Sequence, residues 1–305
     1  MTVKLLAISD TRDKARSAIR DARAELEING SPATLQCGNY HLPMAVGKVQ
    51  ADCTITKAYY QNTDQDRWGL QKDARIRLWP TGSPYMPPGS MVYPVRQRWF
   101  ASRTQMANEP TYVDAGERIT SAKVYYHSGL DIGGAEGLVD VLAANSGVVV
   151  GLGTAMVDKE RIASLDHQDN DTIWVQDERG WYHRYTHLYS FDPSVKLGGQ
   201  VAIGQKIGTL GKEGWSGGWA YLHYEILSRQ ASGKLGTQEG YAFLWEAYQR
   251  QYKPHLIAVA RPHEAVLVGE KVTLDGSRSW GDLHIARYEW TFTDGEKASG
   301  ASSPW

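Results

Sequence analysis

Most of the chain alternates apolar and polar residues in short runs, a pattern typical of β-strands. Runs such as CTITKAYY, ARIRLWP, MVYPVRQRWF and NSGVVVGLG are separated by clusters of Gly, Pro and Asn. The run DTIWVQDERGWYHRYTHLYSF predicts a hairpin with DERG as its turn, where Gly180 can take a positive φ. The predicted fold class is therefore mainly β, of α+β character, with antiparallel sheets.

Two segments have helical rather than strand spacing. Residues 10–27 (DTRDKARSAIRDARAELE) are rich in Ala, Arg and Glu, and their Ala and Ile residues fall on one helical face. Residues 240–254 (GYAFLWEAYQRQYKP) place aromatic residues and Leu at helical spacing, and Pro254 ends the segment. We therefore expect a leading helix near the N-terminus and a second helix late in the chain.

Composition and charge exclude some classes of function. The formal net charge is -1, and Lys and Arg form no basic run, so nothing indicates nucleic acid or an anionic membrane as partner. No segment approaches the roughly 18 apolar residues needed to span a bilayer. The first residues hold only a four-residue apolar run, too short for the core of a signal peptide. Either the protein stays inside the cell or an export signal was removed.

The two cysteines allow two interpretations. Cys37 and Cys53 flank two short strand-like runs and form no CxxC pair. A disulfide between them would suit an exported protein, whereas two buried free thiols fit equally well. Sequence alone leaves both open.

Three short fragments carry residues suited to metal chemistry. They are HSGLD (127–131), YTHL (185–188) and YLHYE (221–225). In an extended chain, residues two or four apart point to the same side. His127 and Asp131 can therefore face one way together, as can Tyr221, His223 and Glu225. Neutral imidazole and carboxylate are the usual zinc ligands where no thiolate is offered. Two histidines, one carboxylate and an open position would make a catalytic rather than a structural zinc site.

The order of these fragments resembles lysostaphin/LytM-type zinc endopeptidases. HxGxDIGG, YTHL and LHYE occur here with a glycine-rich stretch, KLGGQVAIGQKIGTLGKEGWSGG, between the last two. The resemblance covers about 121–230 and implies an antiparallel sheet with a substrate groove. It also implies Zn²⁺ as cofactor, held by His127, Asp131 and His223, with His187 as the histidine that acts on the attacking water or stabilises the oxyanion.

Tyr221 departs from the family pattern, which at this strand is His-x-His. A phenol with an ordinary pKa near 10 is a poor general base at neutral pH, although it can donate a hydrogen bond to an oxyanion. Three interpretations stay open. Tyr221 is a donor in a slower or altered peptidase, the mark of a metal-binding protein without activity, or a substitution particular to this chain.

Further residues near these fragments could assist or could be structural. Glu225 shares the face of His223 and could orient it, or form a salt bridge. His183 is expected at the groove rim or exposed, since it has the same parity as His187. Trp215 and Trp219 could form a groove wall or pack in a core. The polar residues that precede the resemblance, Asn108 and Glu109, could cover the open zinc position in a latent form.

The tail resembles the start of a PKD module, an immunoglobulin-like sandwich. The matching pieces are VGE (268–270), LDGS (274–277) and YEWTF (288–292), followed by DG (294–295). Only about 49 residues follow position 257, roughly half of what a seven-stranded sandwich needs. We therefore divide the chain into a β-rich N-terminal domain with a leading helix (1–109), a peptidase domain (110–254) and a partial PKD-like module (255–305).

Together these features predict an enzyme, a zinc endopeptidase that hydrolyses peptide bonds in bacterial peptidoglycan outside the cytoplasm. Its partner would be a peptidoglycan peptide or another extended Gly-containing peptide, and oligomeric state is left open. The glycine-rich walls suit this role, because small residues let an extended peptide approach the backbone closely. The alternatives are an inactive cell-wall-binding or regulatory protein on the same fold, and a zinc peptidase acting on proteins.

Overall fold

The computed structural model describes residues 1–38, 40–61, 63, 66–100, 106–111, 124–157, 169–260, 263–264 and 266–304. Residues 121–123, where the resemblance begins, lie outside the described residues. The described residues are mainly β, as the sequence predicts, and their strands pair antiparallel.

The N-terminal segment forms a three-stranded sheet and not the predicted leading helix. The sheet has the order β1-β2-β3, with strands Val3–Arg12 (β1), Ile19–Ile28 (β2) and Ser31–Gln36 (β3). Along β2 the residues Ala22, Ala24, Leu26 and Ile28 are all buried, which is a period of two. Helix-favouring Ala and Glu concealed this alternation, because burial against a neighbouring sheet outweighs intrinsic propensity.

A second three-stranded sheet lies against the first. Its order is β4-β5-β6, with strands Met44–Val46 (β4), Val49–Thr56 (β5) and Ala74–Pro80 (β6), and a 3₁₀ helix covers Lys57–Tyr60. Cys37 and Cys53 are backbone bridge partners between the sheets, and both are buried free thiols. Of the two alternatives left open by the sequence, the structure therefore has two buried free thiols and not a disulfide.

An eight-stranded sheet carries the candidate chemistry. Its main path is β12-β11-β13-β14-β18-β19, while β16 pairs with β11 and β9 pairs with β18. The strands are Leu130–Gly133 (β9), Gly147–Leu152 (β11), Ala155–Met156 (β12), Ile173–Gln176 (β13), Tyr182–Thr186 (β14), Gln200–Val201 (β16), Tyr221–Arg229 (β18) and Leu235–Gln238 (β19). The hairpin predicted around DERG is confirmed as β13 and β14, with Gly180 at φ +78°.

Smaller elements flank this sheet. Strands Asp140–Leu142 (β10), Leu188–Phe191 (β15) and Lys206–Leu210 (β17) form a sheet in the order β10-β17-β15, and Pro110–Thr111 (β7) pairs with Tyr125–Tyr126 (β8). The predicted late helix is confirmed as α1, Tyr241–Tyr252, which ends with Lys253 in a left-handed conformation. Its aromatic face packs in the main apolar core together with side chains from both sheets of this region and from residues 86–100.

The strand expected in MVYPVRQRWF is absent from residues 91–100. Val92 and Arg96 donate backbone hydrogen bonds to Ala144 and Asp140, but only a single bridge, Val95 to Val141, satisfies strand geometry. Pro94 lies between them and has no N–H to donate, so the ladder is interrupted.

The described tail residues form three two-stranded pairs. Leu256–Ile257 (β20) pairs with Trp280–Gly281 (β22), Thr273–Asp275 (β21) with Ser302–Pro304 (β25), and Glu289–Thr291 (β23) with Lys297–Ser299 (β24). The PKD-like character of this tail and the three domain boundaries stay predictions.

Candidate active site

Three of the predicted ligands come together at one point. The distance from His127 Nε2 to Asp131 Oδ1 is 3.1 Å, that from His127 Nε2 to His223 Nδ1 is 3.1 Å, and that from His223 Nδ1 to Asp131 Oδ1 is 2.9 Å. All three side chains are buried. Among the described residues, this is the one group of His, Cys, Asp and Glu side chains that could hold a metal ion.

Strand pairing explains why these residues meet. His223 on β18 lies directly opposite Asp131 on β9 in the antiparallel register, so both side chains emerge on the same face. His127 precedes β9 and reaches the same face through a turn at Gly129, whose φ is +79°. A Cβ on Gly129 would lie 2.7 Å from the carbonyl oxygen of Tyr224, so only glycine fits this turn.

The donor set fits zinc. Two imidazole nitrogens and one carboxylate oxygen are the usual ligands of a catalytic zinc site. Bonds of about 2.0–2.1 Å in tetrahedral geometry put ligand atoms about 3.3 Å apart, close to the separations seen here. His127 Nδ1 is buried without a hydrogen-bond partner among the described residues. This nitrogen faces away from the cluster, so it leaves Nε2 as the His127 atom placed to bind an ion together with Asp131 Oδ1 and His223 Nδ1.

The electrostatics of the cluster favour a cation. Burial opposes ionisation of Asp131, but the adjacent His127 and His223 outweigh it and hold the pKa of this carboxyl well below its usual value. Burial disfavours the imidazolium of His127, but the charge and hydrogen bond of Asp131, together with the charges of Glu109 and Glu225, outweigh burial and raise the pKa of His127. Asp131 thus presents a carboxylate to the two imidazoles near neutral pH.

His187 lies beside the three candidate ligands but is not one of them. Its ring centroid is 6.2 Å from that of His223. His187 Nδ1 lies 2.7 Å from the carbonyl oxygen of Glu213 and 3.2 Å from Asp171 Oδ2. Both of these atoms are acceptors, so Nδ1 carries the proton and Nε2 keeps a free lone pair.

Asp171 is a site residue that the sequence analysis did not identify. Its Oδ2 also accepts a hydrogen bond of 2.9 Å from the backbone N–H of His187, so one carboxylate fixes both the backbone and the ring. Burial opposes its ionisation, but the hydrogen bonds and charge of His187 outweigh it and lower the pKa of Asp171. Asp171 is 16 residues before His187 in sequence, and it belongs to none of the three fragments singled out for metal chemistry.

The backbone conformation at His187 breaks the strand alternation from which the position of His183 was predicted. His187 has a φ of +67°, a left-handed conformation that is uncommon for a non-glycine residue. Strand alternation ends there, and the ring is directed toward His223 instead of following His183 and Tyr185. The expectation that His183 lies at the groove rim or exposed is wrong, because it is fully buried between the Tyr224 hydroxyl (2.7 Å) and Asp177 Oδ2 (3.3 Å).

Tyr221 contacts His187 directly. Their ring centroids are 4.9 Å apart with the planes at 75°, an edge-to-face arrangement. The ring is half-buried, and burial followed by the charge of Asp131 raises the pKa of the Tyr221 hydroxyl further above its usual value. The hydroxyl is therefore protonated at neutral pH, so it can donate a hydrogen bond but cannot act as a base.

Glu225 is buried on the same face as His223. Its Oε2 is 3.9 Å from His223 Nε2 and 3.6 Å from Arg184, and its Oε1 accepts a hydrogen bond from the Thr237 hydroxyl. At 3.9 Å the contact with His223 is an electrostatic one and not a hydrogen bond. Of the two interpretations offered by the sequence, both hold in part, since Glu225 forms an ion pair and also adjoins the candidate ligand.

Two further expectations have clear outcomes. Trp215 and Trp219 are 88% and 76% exposed, so the core interpretation of these residues is wrong. The hypothesis that Asn108 or Glu109 covers the zinc position is not supported either. The Asn108 side chain lies against Gly38, and Glu109 accepts a hydrogen bond of 2.7 Å from the Tyr40 hydroxyl.

The site lies inside a segment with recognisable relatives. Residues 125–234 match peptidase family M23. This segment, called the M23 segment below, is about a third of the chain and holds His127, Asp131, Asp171, His187, Tyr221 and His223. No curated protein gives a significant match to the chain.

Solved structures similar to the chain include two described as peptidases or endopeptidases. The catalytic domain of lysostaphin, an antimicrobial peptidase from Staphylococcus simulans, is 23% identical, with 47% of this chain and 92% of that chain covered and a TM-score of 0.34. LytM from Ruminococcus gnavus is 21% identical (52% and 60% covered, TM-score 0.33). Csd3 from Helicobacter pylori is 14% identical (81% and 82% covered, TM-score 0.33). These values are too low to transfer an activity.

Proposed function

We propose that this protein is a zinc-dependent endopeptidase acting on peptide bonds in bacterial peptidoglycan. The observation that carries the proposal is the convergence of His127, Asp131 and His223 within 3.1 Å of one another, beside His187, inside the M23 segment. A peptidase family match and a metal-competent cluster with a neighbouring base support hydrolysis better than binding alone.

His127, Asp131 and His223 would hold the zinc through Nε2, Oδ1 and Nδ1. Bound zinc supplies Lewis acidity to water and to the scissile carbonyl near neutral pH. His187 Nε2 takes a proton from the attacking water and returns it to the departing amine. Asp171 and the Glu213 carbonyl hold the opposite ring nitrogen protonated, which keeps Nε2 available and stabilises the imidazolium that forms.

Tyr221 acts in this proposal as a hydrogen-bond donor to the developing oxyanion. Its edge-to-face contact with His187 keeps the hydroxyl near the reacting groups, and its raised pKa keeps it protonated. Loss of one oxyanion donor typically costs about 10²–10³-fold in kcat. Because the Tyr221 phenol can still donate this hydrogen bond, its presence is compatible with an active enzyme.

The substrate in this proposal is an extended Gly-containing peptide of the cell wall. Gly208 and Gly211 pack so closely on the backbone of Ser190 and Tyr189 that a Cβ would lie about 2.4 Å away, so only glycine fits at these two positions beside the strand that follows His187. Among the described residues, no helix is long and apolar enough to cross a membrane. An extracytoplasmic location belongs to the proposal because peptidoglycan is found there.

The second candidate is a catalytically inactive wall-binding or regulatory protein on the same scaffold. One observation favours it, the presence of Tyr221 where related enzymes have a histidine. Against it, all three candidate ligands and the Asp171–His187 pair are in place, and each is buried. A site that no longer needed these residues would be free to lose them, because buried polar groups cost stability.

The test compares the native chain with Tyr221→His. Each protein, loaded with zinc, is incubated with purified peptidoglycan, and new amino groups are counted. Amine release by the native chain would support the proposal, and the rate relative to Tyr221→His would measure the phenol against the imidazole. Release by Tyr221→His alone would refute activity in the native chain and support the binding alternative. Failure of the native chain to take up zinc would refute both the zinc-dependent peptidase and a metal-binding protein without activity.

A further inference from the structure

The loop between β17 and β18 exposes two large aromatic side chains. Trp215 and Trp219 are 88% and 76% exposed. Among the other described tryptophans, only Trp99 is exposed, at 40%, and the rest are half-buried or buried. Two indoles so close in sequence and so exposed are unusual, because a folded protein normally buries much of this surface.

The loop is held in place by its own hydrogen bonds. Ser216 is buried, its hydroxyl donates to the carbonyl of Lys212, and it accepts from the backbone N–H of Gly218. Gly217 and Gly218 both have positive φ, which allows this tight turn. Lys212 also pairs with Glu136 at 2.9 Å across the loop before β10. The indoles are therefore presented on an ordered turn rather than on a free tail.

Both ends of the loop are part of the candidate active site. The Glu213 carbonyl accepts a hydrogen bond from His187 Nδ1, and the Tyr221 ring contacts the His187 ring edge-to-face. Trp215 follows Glu213 by two residues, and Trp219 precedes Tyr221 by two. Two residues span at most about 7 Å, so each indole is attached within that distance of a backbone position at the site. Both exposed indoles are therefore attached to the chain close to the proposed catalytic residues.

The size and charge of this surface limit what it can bind. If an indole side chain offers up to about 250 Å², the two exposed portions sum to roughly 400 Å². A stable protein–protein interface needs about 800 Å² on each partner, so the patch is too small for a protein dimer. The exposed Glu213 adds one negative charge beside the Lys212–Glu136 pair, which gives no attraction to an anionic membrane. A small, neutral ligand with flat apolar faces and polar edges fits best.

We propose that Trp215 and Trp219 bind the glycan strand of peptidoglycan, and that this contact aligns the attached peptide with His187. The inference rests on the proposed function, because the sugar class follows from peptidoglycan as substrate. The apolar faces of N-acetylated pyranose rings pack on the indoles, and their hydroxyl and acetamido groups stay in water or bond to the loop. Substrates that keep their sugars are therefore bound more tightly than free peptides.

The test separates glycan binding from hydrolysis. Binding of an N-acetylglucosamine tetrasaccharide is measured by calorimetry for the native chain, Trp215→Ala, Trp219→Ala and the double variant. An aromatic contact of about 1 kcal/mol predicts about fivefold weaker binding for each single variant and about 25-fold for the double. Trp99→Ala serves as the exposed-tryptophan control and should bind like the native chain. Trp215→Phe should retain more affinity than Trp215→Leu, since a flat ring is kept.

Hydrolysis is measured in parallel on intact peptidoglycan and on a sugar-free cross-bridge peptide. We expect the double variant to lose activity on peptidoglycan but to cleave the free peptide at the native rate with unchanged zinc content. Equal loss on both substrates would make the indoles a peptide subsite and overturn the inference, as would tetrasaccharide binding that is absent or insensitive to both substitutions. Indole-dependent glycan binding without hydrolysis of either substrate would refute the proposed activity and leave the inference standing.

Discussion

Replacing Asp171 with Asn tests whether the proposed base is aligned by a charged acceptor. Asp171 Oδ2 accepts hydrogen bonds from the His187 backbone N–H at 2.9 Å and from the ring Nδ1 at 3.2 Å. Asparagine keeps the shape and one acceptor oxygen but removes the charge. The other acceptor of Nδ1, the Glu213 carbonyl at 2.7 Å, is unaffected. We therefore expect His187 in this variant to remain in the correct tautomer and to act as a weaker base.

The size of this effect follows from the two kinds of hydrogen bond. A bond to a charged group contributes about 1.5–3 kcal/mol, whereas a neutral one contributes about 0.5–1.5 kcal/mol. The difference of about 1.4 kcal/mol corresponds to about a tenfold fall in kcat, with KM little changed. His187→Ala removes the proton transfer itself and should cost about 10²–10⁴-fold.

The assay is steady-state hydrolysis of a peptidoglycan-derived peptide by zinc-loaded protein. Zinc content and thermal midpoint are measured beside it. Zinc content should not change much, since Asp171 supplies none of the three candidate ligand atoms, whereas the midpoint should fall by a few degrees because a charged hydrogen bond of the folded state is weakened. Native kcat in Asp171→Asn would show that the charge has no catalytic effect. A loss as large as that of His187→Ala, with zinc and fold intact, would show that the Glu213 carbonyl cannot maintain the tautomer. Either result would refute the reasoning.

Two other substitutions probe groups away from the base. Glu225→Gln removes the charge 3.9 Å from His223 Nε2, so we expect zinc affinity to fall about 10–100-fold in competition with a chelating dye, and an unchanged affinity would exclude this role. Asp177 is buried, but its hydrogen bonds to His183 and Arg179 outweigh that and lower its pKa from 3.8 to about 2. Its ionisation thus stabilises the fold above pH 3.8 and less so as pH falls toward 2. Asp177→Asn should cost about 2 kcal/mol in urea unfolding at pH 7 and about half of that near pH 3, and a pH-independent cost would contradict this.

The antiparallel sheet and the proximity of the three candidate ligands could both be predicted from the sequence, because both depend on local patterns. Asp131 and His223 are each placed by strand alternation, and the two strands then bring them into register. The hairpin at DERG and the helix α1 are likewise signalled by turn residues and by spacing. In these cases local preference and tertiary packing agree.

The sequence fails where tertiary packing overrides local preference. Residues 19–28 have helix-favouring composition, yet they form a central strand because alternate Ala, Leu and Ile side chains are buried between the sheets. The prediction that His183 lies at the groove rim fails because His187 adopts a positive φ, which ends the strand alternation. No residue type in YTHL predicts that conformation. The hairpin of β13 and β14 brings Asp171 back toward His187, but the contact itself forms beyond the paired residues, where strand alternation no longer predicts which side chains meet.

The direct opposition of Asp131 and His223 in paired strands has a consequence for how the protein would respond to zinc supply. Their spacing is set by the interstrand register of the eight-stranded sheet and not by a flexible loop. Small zinc modules, in contrast, have no preformed site and are unfolded until metal arrives. If zinc binds at this cluster, a chelator should therefore stop the proposed hydrolysis without unfolding the sheet, and added zinc should restore it without a refolding step.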